Sequence, residues 1–136
     1  PYTTLFRSIV LAALREAPYE PLRRASLKHL TLKTLFLLAI TSARRVSELQ
    51  ALCATAPYTV LNPKSVILRI NPAFCPKTAT DVALRGVIEL SQFPARIRSD
   101  MERQWHKNCP VRALRLYIEA TQEIRSDNHW AALCRL

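Results

Sequence analysis

The sequence predicts an α+β domain that is mainly helical, with a small antiparallel sheet built from a β-hairpin. Three observations carry this. Apolar side chains recur at three-and-four spacing from residue 32 to 43 and again from 110 to 121, as they do on a helix with a buried face. Between these stretches, residues 66–70 and 82–90 alternate with a period of two, as strands do. The length of 136 residues and 49% hydrophobic content suit one domain with an ordinary core.

The elements follow in chain order. Residues 9–17 read as a helix that ends before Pro18, and Pro18 and Pro21 mark an extended connection. Leu32, Leu35, Phe36, Ala39, Ile40 and Ala43 give the next helix its apolar stripe, which Leu37 and Leu38 widen toward deep burial. A bend is expected near Ser42, after which Val46, Leu49 and Leu52 continue a helical pattern. Pro57 and Pro63 bracket a loop. Val66, Leu68 and Ile70 form one strand face, and Val82, Leu84, Gly86, Ile88 and Leu90 form the face of a longer second strand. Pro72 and Pro76 argue against continuous pairing between them, so the pair reads as an antiparallel hairpin with a long connection. Residues 91–109 are polar and irregular, with a short helix expected at 100–106. Pro110 suits the first position of a last helix, whose apolar face is Val111, Leu114, Tyr117, Ile118 and Thr121.

Composition removes several function classes. A single glycine, Gly86, leaves no G-x-G-x-x-G turn and no Walker A loop. Uninterrupted apolar runs such as residues 35–40 are far too short to cross a bilayer, and no signal peptide is visible. Cys53, Cys75, Cys109 and Cys134 form no C-x-x-C pair and the three histidines are scattered, so no metal site is expected. The cysteines read as reduced, mostly buried thiols, which implies a nuclear or cytoplasmic chain. The formal charge of +10 is spread along the sequence rather than gathered in a tail. A folded domain this basic meets a polyanion, most often nucleic acid.

Two places could carry chemistry. Glu48 follows Arg45 by three positions on the expected helix, where its carboxylate can hold the guanidinium for bidentate contact with phosphate. Lys77 lies in the connection between the strands. By spacing alone, Arg45 with Glu48 reads as a solvated surface pair before it reads as a phosphate site, and Lys77 as a solvated lysine. Residues 1–8 match what the end of a common sequencing-library adapter encodes, and are set aside as an expected artefact.

Residues 41–49, Thr-Ser-Ala-Arg-Arg-Val-Ser-Glu-Leu, resemble the first catalytic box of tyrosine recombinases, Thr-Gly-Leu-Arg-x-x-Glu-Leu. The resemblance is closest to the recombinase of DIRS-type retrotransposons. Its further pieces are Glu20-Pro21-Leu22, Leu30-Thr31-Leu32-Lys33-Thr34, Asn71-Pro72-Ala73-Phe74 and Cys109-Pro110-Val111-Arg112-Ala113-Leu114. They occur in the family's order across residues 18–124. The resemblance implies the N-terminal part of a tyrosine-recombinase catalytic domain over residues 9–125, with 126–136 as a tail that does not match.

For the intact family the resemblance implies cleavage and rejoining of double-stranded DNA through a 3′-phosphotyrosine, by oligomers on DNA, without metal or small-molecule cofactor. It maps the phosphate-binding arginine to Arg45 and its support to Glu48. Lys77, in Pro76-Lys77-Thr78, maps to the lysine that assists the leaving 5′-oxygen. Arg44 and Arg85 are the further DNA-contact candidates. Preorganised cations of this kind stabilise charge that gathers on phosphate oxygens in the transition state.

The departures are as informative. None of His29, His106 and His129 is followed by arginine three residues later, so the His-x-x-Arg box is missing from these residues. Tyr117 falls on an apolar helix face and reads as core rather than nucleophile. The chain is therefore expected to hold part of the site and not to cleave DNA. The alternatives are a basic DNA-binding remnant without chemistry and, further off, a helical protein-interaction module.

Overall fold

The computed structural model describes residues 2–45, 48–49, 52, 58–69 and 87–124. Among these are four helices and one three-stranded antiparallel sheet, and about half of the described residues are helical. The α+β class with a small antiparallel sheet is as the sequence predicts.

Helix α1 spans Tyr2–Ala13. It begins inside the segment set aside above and closes four residues earlier than residue 17, the expected end. Residues 4–9 are exposed, Phe6 at 64%, so this arm adds nothing to the core until Val10 and Leu11. Turns carry the chain past Pro18 to a single 3-10 turn at Leu22–Arg24, where Leu22 is buried. The expected extended connection is thus mostly turns.

Helix α2 spans Leu27–Ser42 and starts earlier than its apolar pattern suggests, because Ser26 caps it by accepting the His29 N–H. Its buried face is Leu30, Lys33, Thr34, Leu37 and Leu38. This corrects the expected stripe, of which Leu32 and Ile40 are exposed and Leu35, Phe36 and Ala39 only partly covered. Both stripes have helical spacing. Leu37 and Leu38 are deeply buried as expected, but a helix with apolar residues on more than one face does not reveal by spacing alone which face is inner. The displaced stripe lines a shallower apolar groove with Val10, Leu14 and Tyr19.

The sheet runs β1 Thr59–Leu61, β2 Ser65–Arg69 and β3 Val87–Ser91, in that order. The hairpin of β2 and β3 is antiparallel as expected, with Val66 opposite Leu90 and Leu68 opposite Ile88. Those four side chains are buried while Arg69, Val87 and Glu89 point outward, the alternation the sequence carries. Strand β1 corrects the loop expected between Pro57 and Pro63. Three residues are too few to show a period, and Asn62 and Pro63 supply the turn. The longer extent expected for the second strand, 82–86, lies outside the described residues.

Helix α3 spans Asp100–His106 and opens with a full capping box between Ser99 and Glu102. Helix α4 spans Pro110–Thr121 with Pro110 in its first turn. Val111, Ala113, Leu114 and Tyr117 are buried, Tyr117 at 2% exposure, and Ile118 packs against them partly covered. Tyr117 is core, as its position on the helix face implies. Helices α2 and α4 pack on each other, and the Thr34 hydroxyl donates to the Ala113 carbonyl at 3.4 Å. The turn before α3 is pinned to α4: the Phe93 N–H donates to Cys109 Sγ at 3.3 Å, and the Phe93 ring stacks on Trp105. Cys109 is a free buried thiol; the other three cysteines lie outside the described residues. No described helix is long and apolar enough to cross a membrane.

Candidate functional site

The arginine box sits where α2 stops. Thr41 and Ser42 each turn a hydroxyl back on the carbonyl four residues earlier, both at 2.6 Å, which weakens the last turn's hold on the chain. Ala43 then takes the left-handed conformation at φ 53°, and its N–H still reaches the Ala39 carbonyl. The bend expected near Ser42 is this cap. A new helical turn opens at once, with the Glu48 and Leu49 N–H groups both donating to the Arg45 carbonyl at 3.0 Å. Leu49 and Leu52, at 0% and 2% exposure, anchor that turn in the core.

Glu48 supports this turn differently from the spacing argument. Its Oε2 accepts the backbone N–H of Arg45 at 2.9 Å. That is the return half of a capping box, in which a carboxylate at the third helical position satisfies an otherwise orphaned donor. Its Oε1 lies 3.9 Å from Nη1 of Arg44, a loose pair. The three-residue spacing of Arg45 and Glu48 is therefore a carboxylate-to-backbone spacing, and the neighbouring Arg44 holds the guanidinium contact. The Arg45 side chain is exposed and Arg44 half-buried. The result is two adjacent arginines presented from a rigid corner, where a phosphate could be met by charge and by fork geometry.

Lys77 and Arg85 lie outside the described residues. Strand β2 ends and β3 begins at paired residues, Arg69 opposite Val87.

One polar cluster was missed in the sequence. Glu20 stands between Lys33 and Arg112. Its Oε1 accepts from Lys33 Nζ at 2.6 Å and from Arg112 Nη1 at 2.7 Å, and its Oε2 accepts from Arg112 Nη2 at 3.1 Å. Lys33 Nζ also donates to the Leu14 carbonyl at 2.7 Å. The lysine side chain is wholly buried and the glutamate nearly so, at 8% exposure. Burial pushes the Glu20 carboxyl up, but the hydrogen bonds and charges of Arg112 and Lys33 outweigh it and hold the group below its ordinary value. Burial also lowers the Lys33 ammonium, and Glu20 offsets this only in part. The available signal was a lysine inside the apolar run Leu30 to Leu38; its carboxylate partner Glu20, 13 residues away, gave none.

Among the described residues no group of His, Cys, Asp and Glu could hold a metal ion. No known protein family, curated protein or solved structure matches this chain.

Proposed function

We propose that this chain is part of the catalytic domain of a tyrosine recombinase of a DIRS-like mobile element, and that Arg45 meets a phosphate of duplex DNA. The observation that carries the reading is the exposed Arg45 on a capped corner, inside the segment that resembles the family's first box. A second observation supports it. Glu20, Lys33 and Arg112 come from three separate pieces of that resemblance, and they meet in one buried ion cluster. On this reading the box positions phosphate, while the His-x-x-Arg pair and the tyrosine nucleophile are not supplied by these residues.

Electrophoretic and anisotropy titrations of duplex DNA across a salt series test the reading. Binding is expected to weaken with salt by roughly 0.9 log units per log of salt for each phosphate neutralised. Arg45→Ala is expected to reduce that slope by about one phosphate. An unchanged slope in the variant removes Arg45 from the interface. Covalent capture of this chain on a nicked suicide duplex would show that the chain cleaves DNA after all. Salt-dependent binding with no capture fits a basic DNA-binding remnant, which the charge of +10 favours as the second reading.

A further inference from the structure

A groove of about 790 Å³ opens between the 3-10 turn, the β1–β2 turn and α4. Apolar side chains line much of it, among them Leu22, Leu61, Val111 and Leu116. Leu61 is 43% exposed here and gives the groove apolar surface open to a ligand. Three arginines, Arg23, Arg112 and Arg115, also line the groove, against one carboxylate, Glu119.

The cations differ in how they are held. Arg112 is fixed by its bidentate pair with Glu20. Arg115 makes only a long contact, 3.5 Å, with the Ser65 carbonyl. Arg23 lies 3.9 Å from Glu119, and both side chains are more than 60% exposed, so water screens that pair heavily. Among the described residues neither Arg23 nor Arg115 has a close carboxylate partner. Positive charge on the groove is therefore available to a ligand.

We propose that this groove docks an extended peptide segment of a partner protein, one that carries both apolar side chains and carboxylates. The apolar residues cover Leu61 and Leu116, and the carboxylates meet Arg23 and Arg115. The choice of occupant rests on complementarity. The volume lies in the range of ligand clefts, which bury most of what they bind. Duplex DNA would offer phosphates to the arginines but nothing to cover the apolar lining. A second copy of this chain would bring another net charge of +10 against it. An acidic and apolar peptide answers both features, as charge patterning at interfaces requires. Arg45 is not among the lining residues, so the proposal stands apart from the DNA reading.

The test is fluorescence anisotropy of the full chain with three labelled probes: a short degenerate peptide pool of leucine, isoleucine, aspartate and glutamate, an all-glutamate peptide of equal length, and a short duplex. The pool is expected to bind at least about tenfold tighter than the all-glutamate peptide. The double variant Arg23→Glu with Arg115→Glu is expected to lose about tenfold or more in affinity for the pool, while its thermal unfolding midpoint stays near the parent's. Should that variant not fold, Arg23→Glu alone, at a largely exposed position, is expected to weaken the pool severalfold. Leu61→Ser, which removes apolar surface without adding charge, is expected to weaken the pool and spare the all-glutamate peptide's weaker binding. Equal binding of the two peptides, no binding of the pool, or a folded arginine variant that binds the pool like the parent overturns the proposal. So does a duplex that competes the pool off and is itself weakened by the same arginine variant, since the groove is then DNA surface.

Discussion

Two places in this molecule hold the same inventory, one glutamate and two cations, and put it to opposite ends. At Glu20, Lys33 and Arg112 both carboxylate oxygens are occupied, and the contacts run from 2.6 to 3.1 Å in a nearly dry setting. At Glu48, Arg44 and Arg45 the ion pair among the described residues is loose, at 3.9 Å, and the carboxylate serves a backbone N–H. The first arrangement ties three distant segments into one unit. The second fixes a backbone corner and leaves guanidinium surface facing water. Composition does not separate a structural ion cluster from a binding site; solvation and the use made of each donor do.

The sharpest way to break this comparison is to remove each glutamate in turn. Glu20→Ala leaves a fully buried ammonium with only the Leu14 carbonyl, and Arg112 without its partner. Loss of one member of a buried pair costs roughly 3–5 kcal/mol, so denaturant unfolding of this variant should show a midpoint far below the parent's, or no cooperative transition. A loss near zero would mean that the cluster opens to water.

Acid titration sharpens the same point with a smaller effect. The Glu20 carboxyl is held below its ordinary value, so its contribution is fully present above the unfolded-state value and is lost as pH falls through the lowered folded-state value. Stability followed by denaturant midpoint should therefore drop on acidification below about pH 4.3, the ordinary glutamate value, and Glu20→Gln should flatten that limb. Lys33 acts at the other end. Its ammonium is disfavoured by burial, so stability should gain as pH rises from the lowered value toward that of a free lysine. The smallest effect belongs to Glu48→Ala, which removes half a capping box and a loose pair. About 0.3–1.5 kcal/mol of stability is expected to go, read by the same unfolding assay. Should Glu20→Ala and Glu48→Ala cost alike, the two clusters are not different in kind.

Much of the fold was legible where local chemistry decides it. Pro110 announced α4, the short helix expected at 100–106 is α3, and the alternation of Val66, Leu68, Ile88 and Leu90 fixed the hairpin faces. Legibility failed where a residue's fate depends on something far along the chain. The expected stripe of α2 placed Leu37 and Leu38 in the core correctly but named the exposed Leu32 and Ile40 and omitted Leu30 and Lys33, whose carboxylate partner Glu20 lies outside the helix. Strand β1 was too short to have a period. At the candidate site, the Arg45 and Glu48 spacing was legible but its use was not, since side chain and backbone are both reachable at three residues. The groove had no signal in the sequence, because its walls come from the 3-10 turn, a hairpin turn and the last helix.

The ion cluster also sets an order of events. Glu20 and Arg112 stand 92 residues apart, and Thr34 reaches Ala113 over 79. Helix α2 is synthesised well before the helix that covers its inner face, since Thr34 precedes Ala113 by 79 residues. Until α4 is made, Leu30, Leu37 and Leu38 lack that cover, and Lys33 stays charged and hydrated among them. That hydrated lysine interrupts an apolar surface that would otherwise be free to stick to its neighbours. The residue that looks most out of place in the finished core is thus well placed to keep the growing chain apart from its copies, until α4 arrives and Lys33 is drawn inside.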